Sequence, residues 1–183
     1  MFVLSLDPGS RNFAYCVTSI DENKFRFLEI GQISNTIVNL TALTRKSKKI
    51  VDESVDVMTP KYIKSMSGLL TEYAIQEIVI ERFQARGLKG STIEAVSIMV
   101  GILMCIAHNR GLKIRLITAA QWKNQVNRIV TLNNSYGESH KLGFTPHETD
   151  ASYMGIYHYH AQHGGDLEWV NRVIQEMERY AAL

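Results

Sequence analysis

The sequence predicts an α/β protein with one mixed β-sheet and helices on both faces of that sheet. Three segments rich in β-forming residues follow one another near the N-terminus, helical and β-branched segments then alternate, and three helical segments end the chain. Consecutive strands favour antiparallel pairing, whereas strands separated by helices favour parallel pairing. We therefore expect three antiparallel strands followed by two parallel ones. A length of 183 residues favours one domain with its own hydrophobic core.

The first third of the chain predicts an antiparallel meander. Residues 2–7 form a short apolar run, residues 13–20 are rich in β-formers, and residues 24–33 carry further aromatic and aliphatic side chains. The polar sequence Asp21-Glu22-Asn23 indicates a tight turn between the second and third strands. Short polar connections of this kind join neighbouring antiparallel strands.

The next segments predict a helix followed by a buried strand. Residues 34–60 lack a clear pattern, but Thr59 and Pro60 suit the cap and the first turn of a helix. Apolar residues recur at helical spacing from Ile63 to Tyr73. The β-branched run within residues 77–81 then predicts a central strand.

A second helix and strand follow a basic, glycine-containing loop. Ser91 or Thr92 is expected to cap a long apolar helix that reaches about residue 108 and stops at Gly111. Residues 113–117 predict the last strand. Thr118 is expected to cap a helix over residues 119–130.

Residues 131–142 are polar and predict a mobile loop. The sequence Thr145-Pro146-His147-Glu148 then predicts a helix start, because it combines a threonine cap, a proline in the first helical position and a glutamate that completes a capping box. Gly164-Gly165 is expected to end that helix, and Asp166 to cap a final one. The division expected is a domain over residues 1–163, with residues 164–183 as a C-terminal helix packed on it.

Composition excludes several classes of protein. The chain is 45% apolar and 21% charged, as is normal for a globular protein, and its net charge of +2 alone does not indicate a polyanion partner. The longest apolar stretch, residues 95–107, is too short to cross a bilayer, so we expect no membrane insertion. No basic segment precedes the first strand, and the two cysteines form no ligand or disulfide motif, which favours a cytoplasmic protein with buried, reduced thiols.

Asp7 lies at the end of the first predicted strand, where it is followed by Pro8 and Gly9. Burying an unpaired carboxylate is costly, and a bound cation is the usual compensation. Glu81 ends another buried strand, and His147 and Asp150 share one face in the first turn of a later helix. Such ligands suit Mg²⁺ or Mn²⁺, so the sequence predicts a divalent-metal site.

Each of these side chains also has an ordinary explanation when it is taken alone. A strand-end aspartate is commonly a turn residue, Glu81 can pair with Arg82 or Arg86, and a histidine near a helix terminus is usually a surface residue. Asp150 would be favourable beside any helix N-terminus. Their occurrence together in one chain, each at the end of a predicted strand or helix, favours the metal site.

Three motifs together resemble the RuvC-type Holliday junction resolvases, which belong to the ribonuclease H-like superfamily. They are the opening sequence Asp7-Pro8-Gly9-Ser10-Arg11-Asn12, the strand-borne Glu81, and the helix start His147-Glu148-Thr149-Asp150-Ala151. The opening hexapeptide is fairly specific, and the other two gain weight from their order and spacing. The resemblance covers roughly residues 1–163, implies a ribonuclease H-like sheet, and leaves a phage or viral subgroup open.

The resemblance implies a metal-dependent endonuclease that resolves four-way DNA junctions by paired symmetric nicks, with two Mg²⁺ or Mn²⁺ ions in each active site. It implies that Asp7 bridges both ions and that Glu81 and Asp150 are further ligands. His147 falls where the family has an aspartate or a histidine, so its role as a ligand or as a proton-transfer group stays open. A homodimer is also implied, for which the helix over residues 92–108 offers an apolar face.

The resemblance further implies contacts with DNA around the site. Phe83 is the nearest aromatic residue after Glu81, where the family carries a side chain that wedges into the junction. The residues expected to contact phosphates are Arg11, Arg82, Arg86, Lys89, Lys123 and Lys141. The basic run at residues 45–49 is either a solvated loop or a DNA contact.

Two alternatives keep the fold but change the function. One is a nuclease that acts on RNA/DNA hybrids or on other branched DNA. The other is a non-catalytic member of the superfamily that binds nucleic acid. The first predicts a different substrate preference, and the second predicts no metal-dependent cleavage.

Overall fold

A computed structural model describes residues 1–9, 12–22, 24–34, 62–82 and 90–183. Several expectations lie outside these ranges, namely the helix start at Thr59 and Pro60 and the basic run at residues 45–49. The glycine-containing basic loop after Arg82 is outside them as well.

The described strands form one five-stranded mixed sheet. The strands are β1 (Phe2–Pro8), β2 (Asn12–Asp21), β3 (Lys24–Ser34), β4 (Glu77–Glu81) and β5 (Lys113–Ile117). Their spatial order is β3-β2-β1-β4-β5. The pairs β1/β2 and β2/β3 are antiparallel, whereas β1/β4 and β4/β5 are parallel. The predicted fold class is confirmed.

Six helices lie in the described part of the chain. They are α1 (residues 62–72), α2 (Gly90–Asn109), α3 (Ala119–Val126), α4 (Leu132–Lys141), α5 (Pro146–His163) and α6 (Trp169–Ala181). None of them is long and apolar enough to cross a membrane. Of the two cysteines, Cys16 is buried as expected, but Cys105 is exposed, so the expectation of two buried thiols was wrong for Cys105.

The expectation of a mobile loop over residues 131–142 was wrong. This segment is the helix α4, whose cap residue Thr131 accepts a hydrogen bond from the backbone of Asn134. Its buried face consists of Ser135 and Ser139, which lie one helical turn apart. Because that face is polar, hydrophobic periodicity gave no sign of the helix.

Three predicted helix boundaries also need correction. The helix α2 begins at Gly90, before the predicted cap positions 91 and 92, and Gly111 follows its end with a positive φ of 67°. The helix α3 ends at Val126 instead of residue 130. Asp166 accepts a hydrogen bond from the backbone of Glu168, which precedes α6, so it shapes the approach to that helix and does not cap it.

The core is divided by the sheet into two layers. One layer packs α3, α5 and α6 against Val3, Val79 and their neighbours. The other packs α1 and α2 against Leu4, Leu6, Ile78 and Ile80. The alternation of successive strand residues between the layers follows from the pleat. Helices therefore cover both faces of the sheet, as predicted.

The helix α5 lies very close to the centre of the sheet. A Cβ atom added at Gly155 would stand 2.9 Å from the Oγ atom of Ser5, which is closer than real contacts allow. Gly155 therefore permits an approach that a larger residue would block. This approach sets the position of the whole helix, including its N-terminal turn.

Candidate active site at the carboxyl ends of β1 and β4

Two neighbouring parallel strands carry Asp7 and Glu81 near their carboxyl ends. The register pairs Leu6 of β1 with Ile80 of β4, so Asp7 and Glu81 each follow a paired residue. Alternate residues of a strand point to the same face of the sheet. Asp7 therefore lies on the same face as Val3, and Glu81 on the same face as Val79, which is the face covered by α5. Asp7 is buried and Glu81 is half-buried.

The first turns of α5 bring two further side chains to this edge of the sheet. The predicted capping box is present, because the backbone N–H of Thr145 donates to Glu148 at 2.7 Å and the backbone N–H of Glu148 donates to the Thr145 hydroxyl at 3.3 Å. Glu148 is thereby used in capping. His147 Nδ1 lies 2.6 Å from Asp7 Oδ2. The contact joins residues 140 positions apart in sequence.

Asp150 is buried between donors from two other helices. The Lys123 ammonium of α3 donates to Asp150 Oδ2 at 2.8 Å, and the Tyr136 hydroxyl of α4 donates to Asp150 Oδ1 at 2.6 Å. Both carboxylate oxygens therefore have a partner. Lys123 is the predicted phosphate-contacting lysine that the structure brings into the site.

Glu81 is held by a fully buried tryptophan. The indole N–H of Trp122 donates to Glu81 Oε2 at 2.9 Å. Lys123, the next residue along α3, has its ammonium 4.8 Å from the centroid of the Trp122 ring. The helix α3 thus presents one donor to each of two acidic side chains.

The site carries more negative charge than its own cations neutralise. Burial raises the pKa of Glu81, and the neighbouring charges of Asp7 and Asp150 add to that rise. Burial also raises the pKa of Asp150, although Lys123 and Tyr136 act in the opposite direction. Raised carboxyl pKa values show that the negative form is under-compensated here.

The pKa values of the two basic side chains at the site, His147 and Lys123, are raised by the neighbouring carboxylates. The hydrogen bond with Asp7 raises the pKa of His147, against the effect of burial. Burial lowers the pKa of Lys123, but the combined attraction of Asp150, Glu81 and Asp7 outweighs it and leaves the pKa raised. These interactions show that Asp7, Glu81, Asp150, Lys123 and His147 share one electrostatic environment.

The carboxylate oxygens of Asp7, Glu81 and Asp150 face hydrogen-bonding groups of the protein itself. Among the residues that the structure describes, no three His, Cys, Asp or Glu side chains are arranged so that they could hold one metal ion together. An ion bound here would therefore have to share carboxylate oxygens that now accept from protein donors.

The remaining predicted DNA contacts are less central. Lys141 is the exposed last residue of α4 and not part of a loop, and Arg82 is exposed just after β4, where its backbone N–H donates to Ile117. Arg11, Phe83, Arg86 and Lys89 lie outside the described residues, so their roles stay predictions.

Sequence reasoning missed two residues of the site. Trp122 falls in the helix predicted over residues 119–130, where no motif marked it as part of the site; it is buried, and its N–H donates to Glu81. Tyr136 was assigned to a loop, and it contacts Asp150 from a helix. The adjacency of Trp122 to Lys123 was the only available signal for the first, and no spacing pattern marked the second.

Comparison with known sequences gives one informative relative. No family model matches the chain. The crossover junction endodeoxyribonuclease RuvC of Sulfurovum sp. (strain NBC37-1) is 30% identical over 81 residues. The match spans 44% of this chain and 42% of that protein, so less than half of the relative's length is covered.

Solved structures match over most of the chain. Thermus thermophilus RuvC in complex with a Holliday junction substrate superposes with a TM-score of 0.64 at 16% identity, covering 90% of this chain and 97% of that one. The Fowlpox virus resolvase in complex with Holliday junction DNA has a TM-score of 0.51 at 13% identity, covering 89% and 99%.

The sheet order and its helical layers define a ribonuclease H-like fold. Within that class, the chain has the fold of the RuvC-type resolvases and is similar in sequence to RuvC over the matched segment. The resemblance indicated by the three motifs is confirmed.

Proposed function

We propose that this protein is a divalent-metal-dependent endonuclease that resolves four-way DNA junctions by paired symmetric nicks. The observation that carries the proposal is the under-compensated acidic edge formed by Asp7, Glu81 and Asp150 on a RuvC-type fold. A structural ion network would be expected to neutralise its carboxylates, whereas this one leaves two of them with raised pKa values.

The donor set fits Mg²⁺ or Mn²⁺. Three carboxylates supply hard oxygen ligands, and a cation would offset the burial and the mutual repulsion that raise the pKa values of Glu81 and Asp150. We assign Asp7, Glu81 and Asp150 as ligands of two ions, and His147 as either a fourth ligand or a proton-transfer group. When bound, such ions activate a water molecule and stabilise the leaving oxygen of the phosphodiester.

The chain's own cations have supporting roles. Lys123 is half-buried beside Asp150 and presents an ammonium at the edge where the scissile phosphate would lie. His147 keeps Nδ1 against Asp7 Oδ2, which orients Asp7 and holds a proton at that atom when the ring is charged. The raised pKa of His147 extends the pH range over which the ring carries that proton.

Support for the substrate comes from the relatives. Both structural relatives described above are Holliday junction complexes by their own descriptions. Arg82, Lys123 and Lys141 would contact phosphates, together with Arg11, Arg86 and Lys89, and Phe83 would wedge into the junction. Because resolution needs two matched nicks, we infer a two-fold homodimer with two active sites. The helix α2 exposes Ile98 (41%) and Met104 (45%), which suits such an interface. We also infer a cytoplasmic location, where the reduced thiols and the DNA substrate would be found.

The test is cleavage of a synthetic four-way junction with and without added Mg²⁺ or Mn²⁺. We expect symmetric nicks that need the ion and a preference for the junction over plain duplex and an RNA/DNA hybrid. Asp7→Asn should reduce the cleavage rate by about 1,000-fold or more, because a charged ligand is lost, while junction binding in a gel shift persists.

Asp21→Asn is the matched control, since Asp21 is an exposed aspartate that ends β2 at the other end of the sheet. It should cleave as the unaltered protein does. Full cleavage by Asp7→Asn, or cleavage that ignores divalent ions, would refute the proposal. Preference for the hybrid would point to the ribonuclease H alternative.

A further inference from the structure

We propose that Trp122 and Tyr136 are positioning residues, which orient Glu81 and Asp150 from outside the ion site and thereby set its affinity for divalent ions. The inference rests on the proposed function, because it concerns the same carboxylates. It assigns a role to one side chain from the core and one from a polar helix.

Trp122 is suited to hold Glu81 because it is both rigid and limited in its hydrogen bonding. The indole has a single donor and no acceptor, and that donor points to Glu81 Oε2 at 2.9 Å. The ring is fully buried and stacks on Tyr153, with centroids 6.1 Å apart and planes 17° from parallel. The ring therefore cannot follow Glu81 if the carboxylate turns.

Tyr136 holds Asp150 in a similar way from α4. Its hydroxyl donates to Asp150 Oδ1 at 2.6 Å, while Lys123 occupies Oδ2. Of these two donors, Lys123 has a long flexible side chain, whereas Tyr136 has only two side-chain torsions to adjust. The orientation of Asp150 therefore depends more on the phenol.

The helix α4 is itself fastened to α5, which carries Asp150. Ser135 Oγ lies 2.7 Å from the hydroxyl of Tyr153, and the Thr149 hydroxyl donates to Ser139 Oγ at 2.7 Å. Both serines are fully buried. Tyr153 joins the two halves of the arrangement, because it contacts both Ser135 of α4 and the ring of Trp122.

These contacts are compatible with ion binding. Each carboxylate oxygen has two lone pairs, so an oxygen of Glu81 or Asp150 that accepts from the protein can still bind an ion through its other lone pair. Outer donors of this kind typically alter metal affinity by about 10- to 100-fold when they are removed. Loss of either donor should therefore weaken ion binding without removing a ligand.

The experiment compares Trp122→Phe and Tyr136→Phe, which delete only the donors and keep most of each ring. Mn²⁺ affinity of the DNA-free, full-length protein is measured by calorimetric titration. We expect a dissociation constant about 10- to 100-fold larger in each variant. Tyr157→Phe is the matched control from α5, and its affinity should be unchanged.

A second readout separates positioning from a general loss of structure. Cleavage by either variant should recover at high Mn²⁺ concentration, whereas cleavage by Asp7→Asn should not. Tyr136→Phe keeps the test decisive if Trp122→Phe fails to fold, since Tyr136 is only partly buried.

The outcomes distinguish this inference from the proposed function. Failure of the unaltered protein to bind Mn²⁺ would overturn the proposed function. Normal binding by the unaltered protein, with equal or tighter binding by both variants, would overturn the positioning role alone, because it would show that the two donors compete with the ion.

Discussion

Two charged networks on the same face of the sheet behave in opposite ways. At the site, Asp7, Glu81 and Asp150 share the charges of Lys123 and His147. At the other network, a single buried carboxylate, Glu176 of α6, accepts hydrogen bonds from two arginines and from a backbone N–H. Its donors are Arg26 at 3.0 Å, the N–H of Phe27 at 3.0 Å, and Arg179 at 2.8 Å.

The pKa values show what this difference means. Although burial acts to raise it, the hydrogen bonds from Arg179, Phe27 and Arg26 lower the pKa of Glu176 below its ordinary value. At the site, burial dominates and the pKa of Glu81 rises. The Glu176 network stabilises the attachment of α6 to β3, whereas the acidic edge costs stability that a bound cation would restore. The two carboxylates thus differ in how far the protein itself compensates their charge.

The largest expected effect on stability comes from replacing Glu176, the carboxylate whose charge the protein itself compensates. Glu176→Gln should lower the free energy of unfolding by about 2 kcal/mol, because it removes the charge that two arginines and a backbone N–H were arranged to meet. Urea unfolding followed by circular dichroism measures this change. Junction cleavage well below the unfolding transition should stay close to that of the unaltered protein, and a selective loss of cleavage would contradict the structural role.

Replacing Glu81, whose charge the protein does not compensate, should change the free energy of unfolding in the opposite direction. Glu81→Gln should raise the free energy of unfolding by about 1 kcal/mol in metal-free buffer, because it removes repulsion with Asp7 and Asp150 while keeping an acceptor for Trp122. The same urea titration gives the value. A destabilised Glu81→Gln protein would show that the edge is a structural network after all.

The smallest effect is a difference in pH dependence between these two variants. Glu81 has a raised pKa in the folded protein, so the gain from Glu81→Gln should be full at neutral pH and disappear as the pH falls to the ordinary glutamate value of about 4.3. Glu176 has a lowered pKa, so the loss from Glu176→Gln should persist down to about that pH and fade only below it. Unfolding curves from pH 7 to 3 test both signs, and a common pH window for the two variants would contradict the comparison.

The sequence allowed most of the fold, and most of the side chains that meet at the candidate site, to be predicted. Strands β4 and β5 were predicted to the residue, because their β-branched or alternating runs are bounded by polar residues. The start of α5 was predicted because Thr145, Pro146 and Glu148 form a local capping pattern. Asp7 and Glu81 followed from their position at strand ends.

The missed features depend on contacts between distant segments. The buried face of α4 is made of serines whose partners, Thr149 and Tyr153, lie on another helix. Tyr136 and Trp122 gain their roles only from the acidic side chains that they meet in three dimensions. Likewise, nothing in the sequence around Glu176 indicates that its charge is compensated by residues about 150 positions away.

The most direct test of the central claim is thermal unfolding with and without millimolar Mg²⁺ or Mn²⁺. An ion that binds the folded acidic edge must raise the melting temperature by mass action. We predict a clear rise for the unaltered protein and for Glu176→Gln, and little or none for Asp7→Asn. An unaltered protein whose melting temperature ignores both ions, or an equal rise in Asp7→Asn, would contradict a cation site at the ends of β1 and β4.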